Sequence, residues 1–344
     1  MSDDVPSVSI LIAARPDEAN VKAVPPCRAL DYPEEKIEIL IARGKQPSAQ
    51  RNAGIKAARG ELIYFLDDDS LAQADSLRRG AAHFRDPKVQ MVGGPNVCPP
   101  RVPWLEQLFA RVLASRLAFG PSHARYTSVG RVRETSEKEL ILCNLLARKD
   151  ALLALGGFNE ALYPNEENAL MDELQKRGGK LIYDPDFFVH RRPRPTLKAF
   201  AKMLMTYGRG RAEQFRLHPT FGSVLNFVPP LFLLYLAALI IAALVAAPWI
   251  TEILLGPLAV YVLIVVAEAV TLGLFRTGSR GKGTQGSGTR PRLVKRLSTA
   301  LGVAPLIGLT HLLYGFGFWR GLFTKLGISD AKCTNAIAIE RVGA

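Results

Sequence analysis

The sequence predicts an α/β domain built on a mainly parallel, Rossmann-like doubly wound sheet, followed by helices that cross a membrane. Three observations predict it. Over residues 8–190 short apolar runs alternate with helical segments, the order that builds parallel strands with crossover helices. Residues 219–251 contain no charged side chain, enough chain to cross hydrocarbon at about 1.5 Å of rise per residue. One apolar run ends abruptly in Asp67-Asp68-Asp69, and open α/β sheets take their ligands beyond the carboxyl ends of the strands.

Residues 8–13 read as the first strand and close in a polar bend at Arg15-Pro16-Asp17-Glu18. Residues 19–30 suit a broken helix and 37–42 a second strand. Pro47 and Ser48 open a helix through Ala58, with Ser48 the expected N-cap. Residues 61–66 make the third strand, 70–84 a helix and 89–93 a short strand. Between Trp104 and Leu117, the residues Trp104, Leu105, Leu108, Phe109, Val112 and Leu113 share one helical stripe, facing either the core or an acceptor or membrane. Residues 121–139 are polar and mixed and predict a mobile loop. Residues 140–147 follow as a strand, and Asp150 is expected to cap a short helix stopped by Gly156-Gly157. A helix then runs to Lys176, and 180–183 and 187–190 are the last strand-like pieces.

Residues 197–222 are basic and amphipathic, with Lys198, Lys202, Arg209, Arg211 and Arg216 beside Phe200, Met203, Leu204 and Tyr207. That pattern predicts a segment lying on the bilayer surface. Residues 223–248 and 252–275 are the predicted spans; the second carries Glu268, an intramembrane carboxylate to which the sequence assigns no role. Residues 276–296 hold seven Lys or Arg and no acid. The positive-inside rule puts this loop, 276–297, in the cytoplasm, and the domain 1–196 with it, on the inner face of the cell membrane. Residues 298–318 predict a third span, which would leave the tail 319–344 on the far side; a re-entrant segment there would keep the tail in the cytoplasm.

Composition narrows the partners. A formal net charge of +13 over 344 residues calls for anionic ones. With apolar spans in the same chain, anionic lipids are expected and nucleic acid is not, since no zinc or RNA-motif spacing accompanies the charge. The four cysteines are scattered without a CxxC pair, which fits a reducing compartment and no disulfide framework. The start, Met1-Ser2-Asp3-Asp4, lacks an early apolar core, so no signal peptide is expected.

The chemistry is expected at the acidic triplet. Along an extended backbone Asp67 and Asp69 point to one side and Asp68 to the other. Carboxylates so crowded repel unless a cation joins them, and Mg²⁺ or Mn²⁺ binds one or two carboxylates plus the phosphate oxygens of a substrate. An acidic strand-to-helix turn, with Ser70 or Asp69 as N-cap, is the plainer alternative.

Four blocks carry a family resemblance: residues 10–18; residues 47–54, Pro-Ser-Ala-Gln-Arg-Asn-Ala-Gly; residues 60–70; and residues 156–160, Gly-Gly-Phe-Asn-Glu, leading to Asn165-Glu166-Glu167. In order and spacing the chain resembles family-2 glycosyltransferases of the GT-A fold, membrane-anchored at the carboxyl end. The stretch 189–211, with Tyr207-Gly208-Arg209-Gly210-Arg211, is similar to succinoglycan-type glucosyltransferases. The resemblance implies that Asp69 is the leading metal ligand, with Asp67 and Asp68 on ribose or metal, and His190 a further ligand. It implies that Ala14, Arg15, Glu18 and Arg51 border the sugar nucleotide. It implies that Glu167, with Glu166 next, is the base for the acceptor hydroxyl, at a place where relatives carry Glu-Asp. Arg191, Arg192 and Arg194 are expected to meet diphosphate, lipid phosphate or the membrane surface.

Two departures stand out. Many relatives end the second strand in an Asp that reads the base, where this chain has Ala42-Arg43-Gly44. The Gln-x-x-Arg-Trp element of processive synthases is replaced by Glu213-Gln214-Phe215-Arg216, so transfer of one sugar is expected over polymerisation. The expected activity is inverting transfer from a nucleotide-diphosphate sugar to a lipid-linked or membrane-proximal saccharide, in cell-envelope glycan synthesis. Its alternatives are a polyprenyl-phosphate hexosyltransferase and a non-catalytic, nucleotide-binding membrane assembly or transport subunit.

Overall fold

The computed structural model describes residues 5–160, 166–217, 219, 221–245, 247–274, 293–324 and 337–343. The first elements are β1 (Val8–Ala14), α1 (Val24–Arg28), β2 (Ile37–Arg43), α2 (Pro47–Ala57), β3 (Leu62–Asp67), β4 (Leu71–Ala72), α3 (Ser76–Ala82), β5 (Val89–Gly93) and β6 (Asn96–Val97). Next come α4 (Trp104–Leu113), α5 (Arg116–Phe119), β7 (Arg133–Glu134), β8 (Asn144–Arg148), α6 (Lys149–Ala154), α7 (Glu166–Lys176), β9 (Lys180–Tyr183) and β10 (Val189–His190). The carboxyl part holds α8 (Leu197–Leu217), α9 (Val228–Val245), α10 (Pro248–Leu274), α11 (Leu293–Phe323) and β11 (Ala338–Val342).

The eight-stranded sheet runs β11-β2-β1-β3-β8-β5-β9-β7. β1 lies between β2 and β3 in parallel, with Ala14 opposite Arg43 and Ala13 opposite Asp67. Three strand ends therefore share one edge, and the acidic triplet stands on it. The α/β architecture is as expected, but the sheet is mixed. β8 runs antiparallel to both β3 and β5, and β11 antiparallel to β2. Near-continuous burial of Val8, Ile10, Leu11 and Ile12, and of Leu62 to Leu66, explains why these runs are unbroken apolar rather than alternating.

Several local expectations are corrected. Pro47 takes the first helical position of α2 with Gln46 as N-cap, so Ser48 is buried inside the first turn instead of capping it. The helix expected over 70–84 begins only at Ser76, because Leu71–Ala72 pairs with β10 in a second, three-stranded sheet. Asp150 lies within the first turn of α6, whose cap is Arg148. The expected mobile loop 121–139 contains a 3-10 turn to Arg125 and the strand β7 on β9; Arg125 Nε donates to Lys138 O at 2.9 Å, stapling it.

The carboxyl helices are fastened to the sheet domain. Leu108, Phe109, Val112 and Leu113 of α4 form one buried cluster with Phe200 and Leu204 of α8, Val265 and Ala269 of α10, and Val303 and Ile307 of α11. Phe109 and Phe200 stack at 4.2 Å between ring centroids. The stripe on α4 thus faces protein except at Trp104, which is exposed. Glu268 gains a partner: Ser115 Oγ donates to its Oε1 at 2.7 Å. His311 lies 3.1 Å from Leu117 O and 2.8 Å from the Tyr261 hydroxyl.

α8 packs along α11, so part of its apolar face, Phe200 and Leu204, meets protein. A Cβ on Gly208 would stand 2.1 Å from Tyr314 O, and one on Gly317 2.2 Å from Met205 O. Only glycine permits that approach. α9 and α10 carry the exposed apolar surface, for example Leu244 at 78% and Leu263 at 68%. Three stretches are long and apolar enough to cross a membrane, Val224–Val245, Pro248–Leu274 and Arg296–Phe323, of which 17, 11 and 44% is buried within the protein. β11 then pairs with β2. A strand cannot pair through a bilayer, so the position of β11 agrees with the re-entrant alternative for 298–318 rather than with a far-side tail; the sheet also reaches beyond residues 1–196. The predicted basic loop at 276–292, the tail at 325–336 and Asn165 lie outside the described residues.

Candidate active site

The triplet sits where β3 ends, and long-range ion pairs organise it. Arg51 is presented by α2, whose close seat over β1 requires Gly54: a Cβ there would stand 2.2 Å from the Leu11 side chain. Arg51 Nη1 meets Glu166 Oε1 at 3.0 Å and its Nη2 meets Asp67 Oδ1 at 3.4 Å. Arg191, one residue past β10, meets Asp67 Oδ2 at 3.1 Å and Asp69 Oδ1 at 2.5 Å. The result is an alternating chain, Glu166–Arg51–Asp67–Arg191–Asp69. Asp67 and Asp69 thus share one partner, but not along an extended backbone: β3 ends at Asp67, and Asp68 and Asp69 form a turn closed by Ser70 N donating to Asp67 O at 3.0 Å.

Asp68 makes no side-chain hydrogen bond or ion pair among the described residues. Burial, then the neighbouring Asp69 and Asp67, hold its carboxyl above the usual range, against the lowering effect of Arg191. Burial disfavours a charged Arg191, yet the facing Asp67 and Asp69 hold its guanidinium well above the ordinary arginine value.

Asp67, Asp68 and Asp69 with Glu166 set four carboxylates against the two guanidiniums of Arg51 and Arg191. That excess of negative charge has the sign a cation requires. No cluster of three or more His, Cys, Asp or Glu side chains able to hold an ion is present among the described residues. The donor set therefore fits Mg²⁺ or Mn²⁺ only as part of a shell completed by substrate oxygens. His190 is not brought to the carboxylates: its Nδ1 lies 3.3 Å from Val97 O, and its ring packs edge-on against Phe188. Pairing of β10 with β6 turns it away, and Arg191 takes the expected place.

Around the triplet opens a cavity of about 1610 Å³, larger than the roughly 300–1,000 Å³ of a single small-molecule site. Ala14, Arg15, Glu18, Arg51, Asp67, Asp68, Asp69, Glu166 and Glu167 all line it. The two predicted bases separate here. Glu166 is buried at 3% exposure and tied to Arg51, whereas Glu167 is half-buried and reaches the cavity without an ion pair among the described residues.

The far wall adds residues the sequence did not single out for the site. Arg125 faces Arg211, and neither pairs with a carboxylate among the described residues. Burial, then the Arg125 charge, hold Arg211 below the ordinary arginine value. Tyr126 and Tyr207 join hydroxyls at 3.3 Å beside them. Phe232, Tyr261, His311 and Tyr314 of α9, α10 and α11 continue the wall. Arg211 and Tyr207 were visible as part of a basic, aromatic segment. Arg125 had no signal, since its stretch reads as a polar loop.

A family model described as glycosyl transferase family group 2 matches residues 62–270, more than half of this 344-residue chain. The chain belongs to that family. The match runs from β3 and its carboxylates through α10, so it includes Asp67–Asp69, Glu166, Glu167 and Arg191. This family member is 29% identical over 189 residues to the pre-mycofactocin glycosyltransferase of Mycobacterium tuberculosis, in strains CDC 1551 / Oshkosh and ATCC 25618 / H37Rv. That alignment covers 53% of this chain and 38% of the relative, so the chain spans well under half the length of the curated relatives it matches. Among solved structures it is similar to the mannosyltransferase PcManGT of Pyrobaculum calidifontis, in complex with GDP-Man and Mn²⁺. The TM-score is 0.52 at 15% identity, covering 93% of this chain and 88% of that one. This family-2 glycosyltransferase therefore shares the GT-A fold of that enzyme.

Proposed function

We propose that the protein is an inverting transferase that moves one sugar from a nucleotide-diphosphate donor to a lipid-linked or membrane-proximal saccharide, at the cytoplasmic face of the inner membrane. One observation carries this reading: a single cavity runs from the carboxylates of β3 to the apolar helices α9, α10 and α11. The PcManGT structure holds GDP-Man and Mn²⁺, which supports a nucleotide sugar and a divalent ion here.

Asp67, Asp68 and Asp69 would hold Mg²⁺ or Mn²⁺, which when bound supplies positive charge for the leaving diphosphate. Arg51 keeps Asp67 oriented, and Arg191 adds a fixed cation beside it. Ala14, Arg15 and Glu18 border the nucleotide. Glu167 accepts the proton of the acceptor hydroxyl as that oxygen bonds to the anomeric carbon. The carbon–oxygen bond to the diphosphate breaks, the electron pair leaves with the nucleoside diphosphate, and the configuration inverts. Arg125 and Arg211, offset in part by Glu137 and Glu167, offer positive charge to an anionic acceptor group on the membrane side.

The same frame supports the proposed orientation. With α9 and α10 crossing as a hairpin, the domain, the start of α11 and β11 all lie on one face. α11 then rides on the domain rather than carrying the chain across. The test is transfer of radiolabel from UDP-, GDP- and TDP-sugars, in vesicles, to a lipid-linked saccharide and to bare polyprenyl phosphate. Labelling of the saccharide supports the reading. Labelling of bare carrier alone makes the protein a polyprenyl-phosphate hexosyltransferase, and binding without nucleotide release makes it a non-catalytic subunit.

A further inference from the structure

We propose that the carboxyl-terminal strand β11 is a working part of the donor site: Glu340 holds Arg43, and Arg43 holds the Arg15–Glu18 turn in the shape that receives the nucleotide. The inference rests on the proposed function in taking this turn as nucleotide-facing.

β11 covers what would otherwise be the open edge of β2, antiparallel from Ala338 opposite Arg43 to Val342 opposite Ile39. It is anchored on both faces of the sheet. Ile339 packs on the cluster beneath α2 and Val342 on the opposite cluster. Arg341 donates to Ala57 O at 2.7 Å and pairs with Glu38, and Arg28 Nε donates to Gly343 O at 3.1 Å. In this register Glu340 stands opposite Ile41, so Arg43, two residues on, is its diagonal neighbour on the same face. Arg43 Nε meets Glu340 Oε2 at 3.0 Å.

The other end of Arg43 reaches the cavity rim. Arg15 to Glu18 is a turn closed by Glu18 N donating to Arg15 O at 3.3 Å, with Pro16 where such turns favour it. Arg43 Nη1 donates to Glu18 O at 2.7 Å and to Arg15 O at 3.5 Å, gripping the carbonyls of the turn's first and last residues. Arg15 and Glu18 line the cavity with Asp68. An exposed ion pair such as Glu340–Arg43 adds little to global stability. It fixes where one guanidinium sits, and that guanidinium fixes a loop.

The experiment titrates UDP, GDP and TDP, each with Mn²⁺, into the full chain in nanodiscs, beside donor KM, kcat and thermal unfolding. Glu340→Gln is expected to weaken nucleotide binding about three- to fivefold and to raise donor KM rather than lower kcat, with Tm unchanged. Glu340→Asp restores most of the affinity. Arg43→Gln weakens binding about tenfold or more, and adding Glu340→Gln to it produces no further loss. Equal affinity in Glu340→Gln and the unaltered chain, or losses that multiply in the double variant, overturns the proposal. An unaltered chain that binds none of the three nucleotides overturns the donor reading instead, and this proposal with it.

Discussion

Replacing Glu167 and Glu166 separately by Gln separates chemistry from scaffold. Glu167 is half-buried on the cavity wall and holds no ion pair among the described residues. Glu167→Gln therefore leaves stability within about 0.5 kcal/mol. As the proposed base, its loss lowers kcat by about 10²–10⁴, or roughly 3–5 kcal/mol of barrier. Glu166 is 3% exposed and 3.0 Å from Arg51, itself only 8% exposed. Breaking a buried pair costs about 3–5 kcal/mol. Arg51 keeps Asp67 at 3.4 Å, so the loss for Glu166→Gln falls below that range, at about 2–3 kcal/mol. Thermal unfolding, donor titration and single-turnover nucleotide release measure the two terms independently. Glu167→Gln retaining kcat within a few-fold, or Glu166→Gln keeping its Tm while losing turnover, refutes the assignment.

Three other outcomes are expected. Arg211→Gln raises the acceptor KM about tenfold, as loss of one charged hydrogen bond does, and leaves nucleotide affinity in a direct titration unchanged. Gly208→Leu drives a side chain into Tyr314 O and lowers the unfolding temperature of the α8–α11 pair by a strain of about 1–3 kcal/mol, read by thermal scanning in detergent. Burial pushes the Asp184 carboxyl up, but hydrogen bonds from His83 and the Asp186 amide, with the charges of His83 and Arg79, bring it below the ordinary value. A lowered folded value stabilises above the unfolded value of about 3.9 and is lost as pH falls through the folded one. In denaturation at graded pH, the difference between Asp184→Asn and the unaltered chain shrinks below about pH 4; a constant difference contradicts the pairing.

Much of the frame was legible because its signals are local. Unbroken apolar runs announce β1, β2 and β3, and the carboxylates at the end of β3 mark the edge where ligands bind. What stayed illegible depends on partners far along the chain. β4 is two residues long and exists because β10 lies beside it, so an alanine-rich stretch after Ser70 reads as helix. β11 is short, and Arg43 and Glu340 are 297 residues apart in sequence. Amphipathicity places an apolar stripe on α8 but does not reveal α11 as a neighbour, an approach that the glycines at 208 and 317 permit. Arg191 and His190 are adjacent, and only the pairing of β10 decides which one reaches the carboxylates.

The central claim is that the carboxylates ending β3 hold a nucleotide diphosphate through a divalent cation. The most direct measurement is nucleotide release from UDP-, GDP- and TDP-sugars by the full chain in vesicles, with Mn²⁺ and with EDTA, alongside Asp69→Ala. Release from at least one donor that stops in EDTA and falls at least a hundredfold in Asp69→Ala is the expected result. Release that ignores both EDTA and the substitution, or none from any donor, contradicts the account.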